Sequence, residues 1–309
     1  MGRCRFFTNL AVYDLRMPPA HAIHFLKPSA ALLPFVRFYC QREVRLQSGA
    51  AIVHPVLARA APMIEFLYGD RFRVQACANG SGAPAFGGVV VGLQTHRRVE
   101  LVMRGALEAF AIFFQPSGLN RLLGVSMEDL TDHHYEARSV FGLPMLELEQ
   151  RLGACPTFEY RARLADGWLL NRARHLSTDA VSAAASEILR RGGRMSTLES
   201  ARLAGLGIRQ FERRFAQQVG MSPKLYARIA RFEAALDAKA HSPTGTWSAL
   251  AHDFGYHDHM HLVHDFREFS GETPTAALTQ VESSYRVQIE AMRLGRTPAR
   301  QMGEPPLIM

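Results

Sequence analysis

One pattern occurs twice in this 309-residue chain, and it restricts the fold more than any other feature. At 205–223 a glycine leads into a run containing Phe211 and Phe215; Gly220 follows Phe215 by five residues, and Pro223 comes three later. At 255–274 a glycine leads into a second run with Phe266, then Gly271 five residues on and Pro274 three after that. The glycine-to-phenylalanine interval is ten residues in the first copy and eleven in the second, a difference that a longer turn absorbs. Repetition at fixed spacing marks a duplicated supersecondary unit. Residues four apart share one helix face, so Phe211 with Phe215, and Leu262 with Phe266, are expected to form the buried backs of two short helices. Arg209 and Arg213 then point outward. A helix with aromatics behind and arginines in front, entered through a glycine turn, suits a DNA major groove. Two helix-turn-helix units are expected.

With the segments AGLGIRQFERRF, GMSPKLY, WSALAHDFGYHDHMHLVHDF and SGETP in that order, residues 195–280 resemble the paired DNA-binding units of AraC/XylS-type transcription regulators. The resemblance implies an N-terminal effector or dimerisation domain followed by two units joined by a long helix. It implies a regulator and not an enzyme, with no cofactor. Its partners would be double-stranded DNA, an unidentified small-molecule effector, RNA polymerase and a second copy of the chain. Activation is the expected mode, although no residue separates activation from repression.

Residue by residue, the resemblance carries base contact to Arg209, Glu212 and Arg213, with Gln210 and Gln217 at the rim. Arginine bonds guanine bidentately and a carboxylate accepts from cytosine. Arg214, nearer the core side, is assigned to phosphate or an ion pair. In the second unit the outward positions are His259, Met260, His261 and His264, the last standing where arginine is frequent. Imidazoles change charge between about pH 5 and 8, so phosphate contact through this unit is expected to strengthen as pH falls. Two residues depart from the pattern. Ser200 stands where an apolar residue usually precedes the alanine, and Gly207 replaces a serine or threonine N-cap, at a cost of about a few tenths of a kcal/mol.

The elements around these helices follow from periodicity and stops. A first helix is expected at 181–191, ended by Gly192 and Gly193, and a supporting helix at 198–204 with Ala201 and Leu203 inward. Pro223 opens a long helix whose stripe is Leu225, Ile229, Phe232 and Leu236, with Lys224, Arg228 and Arg231 on its polar side. Trp247 starts the second unit. Residues 187–246 hold eleven Lys or Arg against five Asp or Glu, whereas 247–280 hold only Arg267 against five acids. Electrostatic grip on DNA is therefore expected in the first unit and the long helix.

Length and composition bound the rest. A chain of this length suggests two domains. Hydrophobic content of 48% and charged content of 21% are those of a globular protein, and a net charge of +8 allows a polyanionic partner. Four scattered cysteines (Cys4, Cys40, Cys77, Cys155) lack metal spacing and favour a reducing compartment. With no apolar run of the ~20 residues a membrane span needs and no signal-peptide core, a cytoplasmic location is expected and no membrane partner.

In the N-terminal half, strands are expected at 63–69, 72–78, 87–94, 98–104 and 108–114, all short, apolar and bounded by turn residues. They suggest a small barrel or sandwich. The NGSGAP run at 79–84 imitates a phosphate loop, but Pro84 and the strand after it deny it a helix N-terminus, so it reads as a flexible turn. Helices are expected at GLNRLLG, from Ser126 onward, at LELEQRLG and at 158–174, where Phe158, Leu164, Trp168 and Leu169 either cover the barrel or form a dimer face. The fold class is thus α+β: a β-rich, barrel-like sensor domain with helices, then an all-α domain of two helix-turn-helix units joined by a long helix. The expected divisions are an extension at 1–22, with Met17 as the candidate true start, a sensor or dimerisation domain at 23–176, a DNA-binding domain at 180–280 and a tail at 281–309.

Two rival readings remain on the residues alone. A cupin-like metalloenzyme would need histidines and carboxylates clustered on neighbouring strands, and His54 and His96 are isolated. A metal-responsive binding protein would use His257, His261 and His264 on one helical face, yet Asp258 as N-cap puts His257 outside the helix. No metal site is assigned.

Overall fold

The computed structural model describes residues 20–284 apart from 178, 242 and 243. Its N-terminal half contains ten strands: β1 Ala20–Leu26, β2 Val36–Arg45, β3 Ile52–Pro55, β4 Met63–Gly69, β5 Arg73–Ala76, β6 Gly82–Pro84, β7 Gly88–Val91, β8 Val99–Met103, β9 Ala106–Phe114 and β10 His134–Glu136. They form a six-stranded sheet, ordered β1-β2-β9-β4-β7-β10, and a four-stranded sheet, ordered β3-β8-β5-β6. Every pairing is antiparallel. Among the described residues the two sheets face each other without closing into one barrel. β1 begins inside the stretch read as an extension, and residues 1–19, with the candidate start at Met17, lie outside the described residues. The 79–84 run is in part a strand, since its last three residues form the edge strand β6. Asn79 shapes the turn before it by accepting from the Ser81 amide at 3.0 Å and its hydroxyl at 2.7 Å.

The large sheet is buried on both faces for two different reasons. Side chains alternate along a strand, and along β9 the set Phe110, Ile112, Phe114 enters the main core under the helices. The other set, Ala109, Ala111 and Phe113, looks toward the smaller sheet and lines a cavity. Helices α1 Gly118–Leu123, α2 Met127–Leu130, α3 Ala137–Phe141, α4 Leu143–Gly153 and α5 Phe158–Ala173 follow. α2 starts at Ser126, whose hydroxyl accepts from the Asp129 amide at 3.3 Å.

α5 covers the outer face of the large sheet. Phe158 packs on Phe110 with ring centroids 6.1 Å apart, and Leu169 is fully buried. Asp166 accepts from the Tyr39 hydroxyl and the Ser29 amide, each at 2.9 Å. Arg161 donates to the Leu152 carbonyl and to Gln41, and pairs with Glu108. Leu164 and Trp168 are half-buried against the same core. The apolar face of α5 therefore covers its own sheet.

The C-terminal half is helical: α6 Ala180–Arg190, α7 Thr197–Leu203, α8 Ile208–Val219, α9 Pro223–His241, α10 Trp247–Asp253, α11 His259–Ser270 and α12 Pro274–Ser284. The tail expected from 281 begins as the end of α12, and residues 285–309 lie outside the described residues. Ser177 and Asp179 at the junction are docked: Arg121 donates to the Ser177 carbonyl and pairs with Asp179, which caps α6 through the Ser182 amide at 2.8 Å. One apolar core runs without a break from Leu32 in the sheet half to Leu278 in α12.

Within that core the rings expected to be buried are buried. Phe211, Phe215, Leu262 and Phe266 are all 0% exposed. Phe211→Ala or Phe266→Ala is expected to lower stability by roughly 3–5 kcal/mol through ring loss and the cavity left behind. Denaturant unfolding of each variant against wild type measures this, and an unchanged midpoint would refute the placement.

Candidate nucleic-acid interface and a cavity behind it

Turn chemistry shapes both units in the same way. α7 carries a reciprocal cap, with the Ser196 hydroxyl accepting from the Glu199 amide and Glu199 accepting from the Ser196 amide at 2.8 Å. At its end Gly205 takes φ 65°, and the Leu206 amide returns to the Ala201 carbonyl. α10 starts on Thr246 and ends the same way, with Gly255 at φ 68° and the Tyr256 amide on the Ala251 carbonyl. Two residues separate Gly205 from α8 and three separate Gly255 from α11, which is the expected extra turn residue. Both recognition helices are twelve residues long and end on a left-handed glycine, Gly220 and Gly271. Gly207 caps α8 without a side chain, while Asp258 caps α11 by accepting from the His261 amide at 2.7 Å. That hydrogen bond above all, and then the one with the His257 side chain, hold the Asp258 carboxyl below its usual range.

The exposed faces are those read from the sequence. On α8, Arg209, Gln210, Glu212, Arg213 and Gln217 are exposed, and so is Arg214, which had been placed nearer the core. On α11, His259, Met260, His261 and His264 are exposed, and His257 lies before the helix. The structure thus brings each set onto one face of its own helix. Phe211 and Phe215 anchor α8 from behind, the latter against Tyr226 with centroids 5.5 Å apart. Phe266 anchors α11 between Phe232 of α9, at 4.8 Å, and Trp247, at 5.2 Å.

Two further expectations change. Leu203 is 54% exposed, because α7 buries the face of Ser200, Ala201 and Ala204, and a residue two positions after Ala201 points the other way. Ser200 is fully buried, and its hydroxyl is satisfied by the Ser196 carbonyl at 2.8 Å. The second change concerns Arg228 and Arg231, expected on the polar side of the long helix. Arg228 donates at 2.6 Å to both Asp265 and Glu268, and its guanidinium lies 4.9 Å over the Phe269 ring. Arg231 donates to the carbonyls of Gly193 and Gly255 and covers the Tyr256 ring at 5.3 Å. Both cations tie α9 to neighbouring elements, which removes them from the set available to phosphate. Their partners lie 24 to 40 residues away, so local periodicity gave no signal of them.

Among the described residues, His264, Asp265 and Glu268 are the one group whose donor atoms converge closely enough for a metal ion, and Arg228 already occupies both carboxylates. The hydrogen bond from Arg228 is the first cause holding the Glu268 carboxyl below its ordinary range.

Behind this surface, between the two sheets, lies a cavity of about 540 Å³. Its walls are mostly apolar, with Met63, Phe72, Val91, Leu101, Ala111 and Phe113 among them. The few polar groups include Arg42 and Glu65, 3.5 Å apart, and His134, whose imidazole is held below its usual range by burial and then by His133. Cys40 also faces it, with its thiol pushed up to about 12 by burial. Nothing in the sequence pointed to this volume except the small side chains at 109 and 111 in an otherwise bulky strand.

Comparison with known proteins bears on both halves. Residues 200–280 match the family described as Helix-turn-helix domain. Residues 24–136 match one described as Domain of unknown function (DUF6597). No curated protein sequence matches. A solved structure of ToxT from Vibrio cholerae is similar at 8% identity and a TM-score of 0.42, covering 78% of this chain and 97% of that one. A structure described as unsaturated fatty acid bound wild-type ToxT is similar at 8% identity and a TM-score of 0.39, covering 75% and 95%. Likenesses this distant leave the reading of this chain to its own residues. Residues 200–280 form a helix-turn-helix domain of the AraC type, and the class so defined is a DNA-binding transcription regulator.

Arg213 and Arg228 separate reading from folding. Arg213→Ala is expected to lose about 1–3 kcal/mol of discrimination at one operator position with the melting temperature unchanged. Arg228→Met leaves the fully buried Asp265 without its cation and is expected to cost roughly 3–5 kcal/mol of stability. Operator titration and thermal unfolding of both variants distinguish these outcomes. Because the Glu268 carboxyl is lowered by folding, its stabilising share is complete above the ordinary carboxylate range and is lost as pH falls through the lowered value. Wild type should therefore lose melting temperature on acidification below about pH 4.5, and Glu268→Gln should lose less of it.

Proposed function

We propose that this chain is a sequence-specific transcription regulator whose two recognition helices read adjacent stretches of duplex DNA under the control of a small, largely apolar effector held between the sheets. The observation that carries the reading is the pairing of two equal helices, each capped, anchored by rings and exposed on its outer face. Arg209 and Arg213 contact guanine, Glu212 accepts from cytosine, and Gln210 and Gln217 reach the rim. His259, Met260, His261 and His264 supply a less charged second contact. With Arg228 and Arg231 engaged internally, the electrostatic share of binding falls mostly to α8 and its flanks.

The effector reading rests on volume and lining. A cavity of about 540 Å³ falls within the ~300–1,000 Å³ typical of small-molecule sites, and its mostly apolar walls with a few polar groups match their usual chemistry. RNA polymerase and a second copy of the chain are the further partners of such a regulator. The metalloenzyme alternative would need histidines and carboxylates converging inside that cavity, and among the described residues the convergent group lies on α11 instead.

Two measurements on the full chain test the proposal. Selected genomic fragments should bind with a log affinity that falls linearly with log salt, and Arg209→Ala should relax specificity at one base position, as a guanine contact requires. The aromatic anionic dye 8-anilinonaphthalene-1-sulfonate should bind wild type and fail to bind Ala111→Phe, whose ring fills the cavity. Salt-independent or absent DNA binding by folded protein would overturn the DNA reading, and equal dye binding by both proteins would overturn the effector site.

A further inference from the structure

The cavity and the second helix-turn-helix unit share a wall. Residues 56–61 run from the end of β3 to the start of β4. On one side they belong to the cavity: Val56 and Arg59 line it, the Val56 amide donates to Val99 at 3.1 Å, and Arg59 exchanges backbone hydrogen bonds with the cavity residue Gln94 at 2.8 and 3.0 Å. On the other side the same segment holds the helices. The Ala58 amide donates to the Phe269 carbonyl at 3.0 Å, the Ala60 amide to Glu233 at 3.3 Å, and the Ala60 carbonyl accepts from the Tyr226 hydroxyl at 3.2 Å. Ala58 and Ala60 are at most 1% exposed, so water cannot substitute for these partners.

The choice of partners is informative. Phe269 lies in the last turn of α11, where carbonyls lack an intrahelical donor, and Ala58 supplies one. Between the lining residues Gln94 and Val99, Arg97 reaches the same unit, donating to Gln280 at 3.3 Å and lying 3.7 Å from Glu272. The first unit meets this segment through the edge contact of Phe215 with the Tyr226 ring at 5.5 Å, and its other anchorage lies elsewhere. Its helix α8 ends against α2, where Thr131 donates to the Gly220 carbonyl at 3.0 Å, and neither Thr131 nor Met127 lines the cavity.

We infer that residues 56–61 couple the occupancy of the cavity to the placement of the second recognition helix, leaving the first helix where it is. The inference rests on the cavity being the effector site. A ligand that displaces Val56 or Arg59 moves a backbone whose intervening amides hold α11 and α9. It thereby shifts the balance between placements of α11 relative to α8. The effector would then tune the contact made through His259, His261 and His264 and leave the arginine contact of α8 constant.

Hydrogen exchange by mass spectrometry on the full chain tests this, with 8-anilinonaphthalene-1-sulfonate as the probe. Filling the cavity should change amide exchange in 259–270 by about fivefold or more, the lower end of ordinary coupling, while 208–219 keep their rates. Tyr226→Phe deletes only the hydroxyl that grips Ala60; it should bind the dye with unchanged Kd and show a smaller response at 259–270, the Ala58–Phe269 hydrogen bond being kept. Ala111→Phe, which fills the space covalently, should reproduce the response without dye. Dye bound with no change in 259–270, or with equal change in 208–219, overturns the inference. If the dye does not bind, the effector reading fails at this site, and Ala111→Phe still decides the coupling. Should that variant misfold, the dye experiment on wild type decides it alone.

Discussion

The DNA-reading half depends on the aromatic contacts made by one helix. α9 presents Tyr226 to Phe215 and Phe232 to both Phe266 and Phe269, so each recognition helix is fixed by rings to the same rod. Such contacts combine buried area with a preferred ring geometry, and they resist sliding better than aliphatic packing does. A helix of nineteen residues is about 28 Å long, of the order of the ~34 Å turn of DNA. The separation of the two reading surfaces is therefore a property of rod length and ring position.

That arrangement has an electrostatic consequence. Asp265 is fully buried on the inner face of α11, and a carboxylate there is tolerable only with a cation beside it. Arg228 meets it from α9 and simultaneously takes Glu268. Gly193 adds a further close approach: at φ 72°, any side chain there would meet the Ala227 carbonyl of α9. Arg231 then closes over the same turn by donating to the Gly193 carbonyl. A positive sequence balance in 187–246 thus overstates the charge offered to DNA, because part of it is spent inside the fold.

Much of this was legible in the sequence where a residue's role is set by its neighbours along the chain. The strand at 63–69 has the bounds expected, and β9 extends the run at 108–114 by two residues, because period-two alternation and flanking turn residues are local signals. Caps at Ser126, Gly207 and Asp258 were readable for the same reason, as were the outward residues of α8 and α11. β1, β2, β3, β6 and β10 were missed; the last three, at three or four residues each, are defined by their partners in the sheet, and in β2 the polar run Gln41-Arg42-Glu43 interrupts the apolar signal. Leu203 was misplaced because hydrophobicity alone does not fix the rotation of a seven-residue helix. The cavity was invisible because it is what Ala109 and Ala111 fail to fill, and the roles of Arg228 and Arg231 follow from residues distant in sequence.

The docking of Ser177 and Asp179 and the unbroken core have a bearing on modularity. A chain made of a sensor followed by a reader invites exchange of one part for another, and a cut at the junction would look harmless in the sequence. In this fold such a hybrid would place foreign side chains against Ala58, Ala60, Thr131 and Ser117, the last of which donates to Ser182 at 2.6 Å across the boundary. Sensor and reader are then matched surfaces that must be inherited together. On the proposed reading, the response would vary through residues that face the cavity, and DNA preference through the outer rows of two helices.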